Sequence, residues 1–136
     1  MRKQILVVDD DSAIQRLVTA TLGTTDFDVI IAADGKAAVK RATAEQPDII
    51  LLDVSLPEMD GFAVVKELRA NDATRCIPIL MLTARGSPDD HAKGEALGVN
   101  RYFVKPFSPL QLLRAIYELI ESDASSVQWS MDRSGR

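Results

Sequence analysis

A single cysteine, a single histidine and no glycine-rich run occur among the 136 residues, and each scarcity closes off a class of function. Cys76 has no second thiol to pair with, so an internal disulfide framework is excluded. His91 is the only imidazole, which leaves no cluster of cysteine and histidine for a zinc site. Without a glycine-rich phosphate cradle, a bound nucleotide is not required. Positive charge is in short supply as well: 16 basic residues against 20 acidic ones give a net charge of -4. That balance provides no general attraction to nucleic acid or anionic lipid, and direct nucleic-acid binding is not expected. The opening MRKQILVV has too short an apolar run for a secretory signal or a spanning helix. The expectation is a cytoplasmic chain without a membrane partner.

What is present is the composition of one globular domain. Charged residues make up 26% and hydrophobic ones 46%, which argues against disorder, and the length suits a single core. Short apolar runs at Ile5 to Val8, Val29 to Ala32, Ile49 to Leu52, Ile77 to Leu82 and Tyr102 to Val104 read as strands. Helical patterns lie between them. Ser12 to Leu22 carries Ile14, Leu17, Val18 and Leu22 at helical spacing, with Gly23 as a stop. Asp34 caps a helix through Glu45, ended by Gln46-Pro47, and the turn-rich LPEMDG leads into a helix from about Phe62 to Ala70. Ser87-Pro88 and Ser108-Pro109 are cap and first-turn proline pairs, opening helices that end near Gly98 and Glu121.

Strands that alternate with helices imply a doubly wound α/β domain, a parallel sheet covered on both faces, because parallel neighbours need crossover connections. The domain is expected to span residues 1–122, with DASSVQWSMDRSGR (123–136) as a polar tail or linker in which Trp129 is not docked. His91 is expected to be a solvated helix residue.

Ligands of open parallel sheets bind outside the carboxyl ends of the strands. The residues just after the apolar runs are Asp9, Asp10 and Asp11, then Asp53, Thr83, and Lys105 followed by Pro106. Carboxylates crowded within a few ångströms raise one another's pKa, and a divalent cation relieves that repulsion. The donor set is all oxygen, so a hard ion fits, magnesium or manganese in its place. An aspartate, a cation, a hydroxyl and an ammonium in one crevice make a phosphoryl-transfer site: Asp53 attacks phosphorus, the cation and Lys105 neutralise the phosphoryl oxygens, and Thr83 donates a hydrogen bond.

The segments ILVVDDDSA, PDIILLDVSLPEMDG, ILMLTA and FVKPF, in that order and at those separations, resemble the receiver domain of bacterial two-component response regulators over about residues 4 to 121. The resemblance implies a flavodoxin-like fold of strand order 2-1-3-4-5, with Asp53 as phospho-acceptor. It implies that Asp9, Asp10, Asp53 and the backbone carbonyl of Ser55 hold magnesium, and that Lys105-Pro106 is a cis peptide. Thr83 and Tyr102 would be the switch pair, remodelling the surface of the fourth helix, fifth strand and fifth helix. Ser55 and Arg85 would tune the access of water to the phosphoryl group. A histidine kinase or histidine phosphotransfer protein would be the donor, and a protein target or a fused output domain the recipient of the signal. The chain would act as a monomer or a phosphorylation-dependent dimer, without turnover of an external substrate. One position departs from the pattern: family members with winged-helix outputs often carry an acidic residue where Arg101 stands, a feature of their dimer salt bridges.

Two other readings compete. Asp9-Asp10-Asp11-Ser12-Ala13 resembles the D-x-D-x-[TV] signature of haloacid dehalogenase phosphatases, in which Asp9 would be the nucleophile. Ala13 breaks it, and Asp53 would lack a purpose. A receiver-like interaction module that works without phosphate is the second, and no missing site residue favours it.

Overall fold

Each apolar run becomes one strand of a single parallel sheet, and each helical pattern one helix, the first four of them crossovers between strands. The computed structural model describes residues 3–23, 27–84 and 87–122. In chain order the elements are β1 (Lys3–Val8), α1 (Ser12–Leu22), β2 (Phe27–Ala32), α2 (Gly35–Glu45), β3 (Ile49–Asp53), α3 (Gly61–Ala70), β4 (Ile79–Thr83), α4 (Pro88–Ala96), β5 (Arg101–Val104) and α5 (Pro109–Ser122). The sheet order is β2-β1-β3-β4-β5, with every neighbouring pair parallel. This is the doubly wound 2-1-3-4-5 arrangement expected from the sequence. The expected tail, Trp129 included, and Arg85 lie outside the described residues. None of the described helices is long and apolar enough to cross a membrane.

Side chains alternate across a strand, so each central strand feeds two cores. Leu6, Val8, Ile50, Leu52, Ile79 and Met81 face α2 and α3, where Ala38, Ala42, Val64, Val65 and Leu68 cover them. Ile5, Val7, Ile49, Leu51, Leu80 and Leu82 face α1 and α5, meeting Val18, Leu22, Leu112, Ala115, Ile116 and Leu119. This two-sided burial is why the strands read as continuous apolar runs.

Short polar residues start the helices. The carboxylates of Asp11, Asp34 and Asp60 accept from the N–H groups of Ala13, Ala37 and Ala63 at 2.8, 2.8 and 2.9 Å. Ser87 and Ser108 accept from Asp90 and Gln111 in the same way, each such cap being worth about 1 kcal/mol. Strand starts differ from expectation at β1, β2, β4 and β5, which begin at Lys3, Phe27, Ile79 and Arg101. β4 begins at Ile79 rather than Ile77, because Pro78 has no N–H to give the ladder and the Ile77 N–H turns back to the Thr74 carbonyl at 3.1 Å. Gly23 ends α1 in the right-handed conformation, φ -66°, so the stop there does not depend on glycine's access to positive φ.

At the end of the sheet remote from Asp53, Arg69 of α3 ties three segments together. Its guanidinium donates to the carbonyls of Arg75, Ile77 and Gly98 at 2.9, 2.8 and 2.8 Å and to Asn100 Oδ1 at 3.2 Å. Asn100 Oδ1 also accepts from the N–H of Ile79, the first residue of β4, at 2.9 Å. The planar fork matches these converging acceptors; a lysine cannot. Arg69→Ala is expected to lower stability by about 1–2 kcal/mol, with Arg69→Lys recovering less than half of the loss, measured by urea unfolding. Equal stability of Arg69→Lys and the unaltered chain would show that the fork geometry is unimportant.

Candidate functional site

Parallel strands all finish at the same edge, and the register decides which finishing residues meet. Val8 pairs with Leu52, so Asp9 comes to stand across from Asp53. Asp53 pairs with Leu82, and Thr83 with Val104, which carries the line of strand ends on to Lys105. Asp9 and Asp53 are 1% and 6% exposed, low values for carboxylates that face one another. They are held by a shared cation. Lys105 Nζ lies 2.9 Å from Asp9 Oδ2 and 3.3 Å from Asp53 Oδ2. The second oxygen of each acid takes a backbone N–H: Asp9 Oδ1 from Asp11 at 2.9 Å, and Asp53 Oδ1 from Ser55 at 3.2 Å. Gln15 Nε2 donates to the Asp9 carbonyl at 2.6 Å, fixing the first turn of α1 against the site.

The loop after Asp53 approaches so closely that one position must lack a side chain. Gly61 N–H donates to the Val54 carbonyl at 2.6 Å, and a Cβ at Gly61 would strike the Asp53 carbonyl and stand 2.8 Å from Val54 Cα. The Lys105-Pro106 peptide is cis, the isomer the family resemblance implied.

One ammonium does not balance this group of acids. Burial, followed by the charge of Asp9, raises the Asp53 pKa, and Lys105 and the Ser55 N–H only partly offset the rise. For Lys105, burial pulls the pKa down, but its bonds to Asp9 and Asp53 outweigh that effect and leave it raised, so it is an ammonium at neutral pH. One carboxylate oxygen each from Asp9, Asp10 and Asp53 can be chosen so that all lie within 4.8 Å of one another. Three oxygens at that spacing, in a site short of positive charge, suit a hard divalent cation. Asp10 is exposed, which leaves the pocket open to solvent on that side.

Thr83 is fully buried at the end of β4, and its carbonyl accepts from the Lys105 N–H at 2.6 Å. Met81 pairs with Tyr102 in the register, and the alternation along β4 puts Thr83 on the same side of the sheet as Met81. Tyr102 packs against that core, half-buried, with its ring 4.9 Å from the ring of His91. His91 is exposed as expected, yet it is not a bystander; a contact of this kind between two elements leaves no trace in local sequence pattern. The roles of Asp11 and Gln15 in fixing Asp9 also escaped the sequence reading, although their place in the first turn after a site strand was a usable signal.

The family model for the response regulator receiver domain matches residues 5–117. The chain belongs to that family. It is 43% identical over 135 residues to the alkaline phosphatase synthesis transcriptional regulatory protein PhoP of Bacillus subtilis, covering 97% of this chain and 55% of the relative. It is 41% identical over 117 residues to the DNA-binding dual master transcriptional regulator RpaA of Synechocystis, covering 86% and 48%. Among solved structures, the receiver domain of a sensor histidine kinase from Pseudomonas aeruginosa superposes with a TM-score of 0.83 at 34% identity, covering 90% of this chain and 100% of that one. That structure holds a magnesium ion coordinated in its active site cleft.

The receiver thus spans about half the length of the curated relatives it matches. Those relatives correct one expectation. Direct nucleic-acid binding is not expected from the net charge of -4, but the chain's kin are transcriptional regulators, one of them named as DNA-binding. The charge argument fails because an electrostatic footprint belongs to the surface that meets DNA, and the balance of a matched half does not report on a longer protein.

Because ionised Asp53 is disfavoured by its surroundings, Asp53→Asn is expected to raise Tm by a few degrees in metal-free buffer at neutral pH. The advantage should be full above the raised pKa of Asp53 and fade as pH falls through it, where the acid takes up a proton. Thermal melts of both proteins across that range check it; an unchanged or lower Tm for Asp53→Asn at neutral pH contradicts it.

Proposed function

We propose that the domain is a phosphorylatable signalling switch that takes a phosphoryl group onto Asp53 from a phosphohistidine of a kinase or phosphotransfer protein. The observation that carries this reading is the position of Lys105 Nζ, shared between Asp9 and Asp53 at the edge where four strand ends converge. An Asp53 oxygen attacks phosphorus, the bond from phosphorus to the donor imidazole breaks, and the imidazole leaves and regains a proton from solvent. Lys105 holds charge against the incoming phosphoryl oxygens. Magnesium, or manganese in its place, would be held by Asp9, Asp10, Asp53 and the Ser55 carbonyl and would supply further positive charge to those oxygens. The all-oxygen donor set and the magnesium-bearing relative support that assignment.

Asp9 is the poorer nucleophile. Its two oxygens are committed to Lys105 and to the Asp11 N–H at 2.9 Å each, against 3.3 and 3.2 Å for the bonds of Asp53. This favours the receiver chemistry over a phosphatase built on Asp9.

The product is an acyl phosphate with nearly two negative charges. When Thr83 reaches it in one loop conformation only, a charge-assisted hydrogen bond of about 1.5–3 kcal/mol shifts the equilibrium roughly 10- to 150-fold. Tyr102, on the same side of the sheet, passes the change to α4, β5 and α5. Ser55 and Arg85, two positions beyond Asp53 and Thr83, set how easily water hydrolyses the acyl phosphate. Kinship with PhoP and RpaA favours control of transcription as the output.

The test uses a small acyl-phosphate donor with and without magnesium, read by intact mass. The unaltered chain should gain one phosphoryl group only with the metal, Asp53→Asn none, and Lys105→Ala should gain it more slowly by on the order of 100-fold. Thr83→Ala should be labelled normally while its phosphorylation-dependent output falls by roughly 10-fold or more. Phosphorylation of Asp53→Asn would contradict the assignment, and a fully responsive Thr83→Ala would remove Thr83 from the switch.

A further inference from the structure

The last turn of α4 contains a glycine, a residue that lowers helix stability relative to alanine. Gly94 is buried, and no backbone conformation demands it: it lies within the helix, unlike Gly98, whose φ is +94°. Its surroundings supply the reason. A Cβ at this position would lie 3.4 and 3.5 Å from Cδ2 and Cε2 of Tyr102 and 3.6 Å from the Phe62 ring. Those are contact distances, so a methyl group would just fill the space between the helix and the tyrosine. One turn earlier on the same helix face, the His91 ring lies 4.9 Å from the Tyr102 ring, tilted by 55°. Two side-chain positions of α4 therefore bear directly on one aromatic ring.

We infer that Gly94 and His91 govern Tyr102: the missing methyl at Gly94 leaves the clearance in which ring and helix shift past one another, and the His91 ring holds the tyrosine in its resting place. The inference rests on the reading of Asp53 as phospho-acceptor and Tyr102 as the responding aromatic, and it adds the residues that set the resting state. A well-packed interior transmits such shifts between discrete arrangements, so filling a one-methyl clearance biases the arrangement that is already in place. Gly94→Ala should accordingly stiffen the switch without touching the phosphoryl chemistry, whereas His91→Ala should loosen it.

The chain has two tyrosines, Tyr102 and Tyr117, so replacing both with 3-fluorotyrosine yields two fluorine resonances, the second an internal control. Spectra are recorded with magnesium before and after beryllofluoride, a phosphoryl mimic, and labelling of Asp53 by an acyl-phosphate donor is followed in parallel by mass. In the unaltered chain the Tyr102 resonance should move well beyond that of Tyr117, whose ring packs on Phe27 at 5.2 Å. Gly94→Ala should be labelled to the same extent and melt at a higher temperature, with the movement of Tyr102 cut by at least half. In His91→Ala the resting Tyr102 resonance should already lie toward its activated position. A Gly94→Ala protein with full labelling and an undiminished Tyr102 movement overturns the inference, since extra helix stability alone would raise Tm and leave that movement intact. An unaltered chain that labels at Asp53 but leaves Tyr102 still also overturns it. An unaltered chain that takes no label overturns the phospho-acceptor reading, a failure that the mass measurement distinguishes from the other two.

Discussion

One lysine ammonium lies between two carboxylates that would otherwise repel each other, and the arrangement of the domain follows from the need to put it there. Asp9 and Asp53 end or follow neighbouring strands and are nearly sealed from solvent, while Lys105 comes from the loop after the last strand. The contact requires β1, β3, β4 and β5 to run in the same direction and finish in register, because a slip of one residue would turn a side chain to the other face of the sheet. It also requires the backbone after Asp53 to fold back tightly, which Gly61 permits. The compensation is incomplete: Asp53 remains an acid whose ionisation is resisted by burial. A site in that condition gains from a cation and from any reaction that transfers the negative charge onto better-solvated phosphoryl oxygens.

The same asymmetry separates the two acids chemically. Asp9 is bonded closely to Lys105, to the Asp11 N–H and, through its carbonyl, to Gln15, and so is part of the frame. Asp53 has looser partners at both oxygens. Two residues of one type in one pocket thus differ in how far their oxygens are committed, which suits them to the different parts proposed.

Much of this was legible in the sequence, for identifiable reasons. Strands buried on both faces need uninterrupted apolar runs, so Ile5 to Val8 and Ile49 to Leu52 announced themselves, and the rule that ligands meet parallel strands at their carboxyl ends then singled out Asp9, Asp53, Thr83 and Lys105. β2 was harder to delimit, since Asp28 breaks its apolar run at the sheet edge and hides the start at Phe27. The start of β4 was misplaced because Ile77 is as apolar as its neighbours and only the missing N–H of Pro78 excludes it. Arg69 was not foreseen at all: its acceptors are mostly backbone carbonyls, which every residue carries and no motif records. The contact of His91 with Tyr102 was hidden for a related reason, being fixed by how α4 docks and not by any spacing within it. Net charge misled in a different way, because the balance over these residues does not report on a partner named for a relative about twice as long.

The claim that Asp53 alone carries the phosphoryl group can be read out at the level of the individual side chain. Reducing the phosphorylated protein with borohydride converts an acylated aspartate to homoserine, and peptide mass spectrometry then locates the change. The account predicts homoserine at position 53 and aspartate intact at positions 9 and 10. Homoserine at position 9, with Asp53 unchanged, would contradict it.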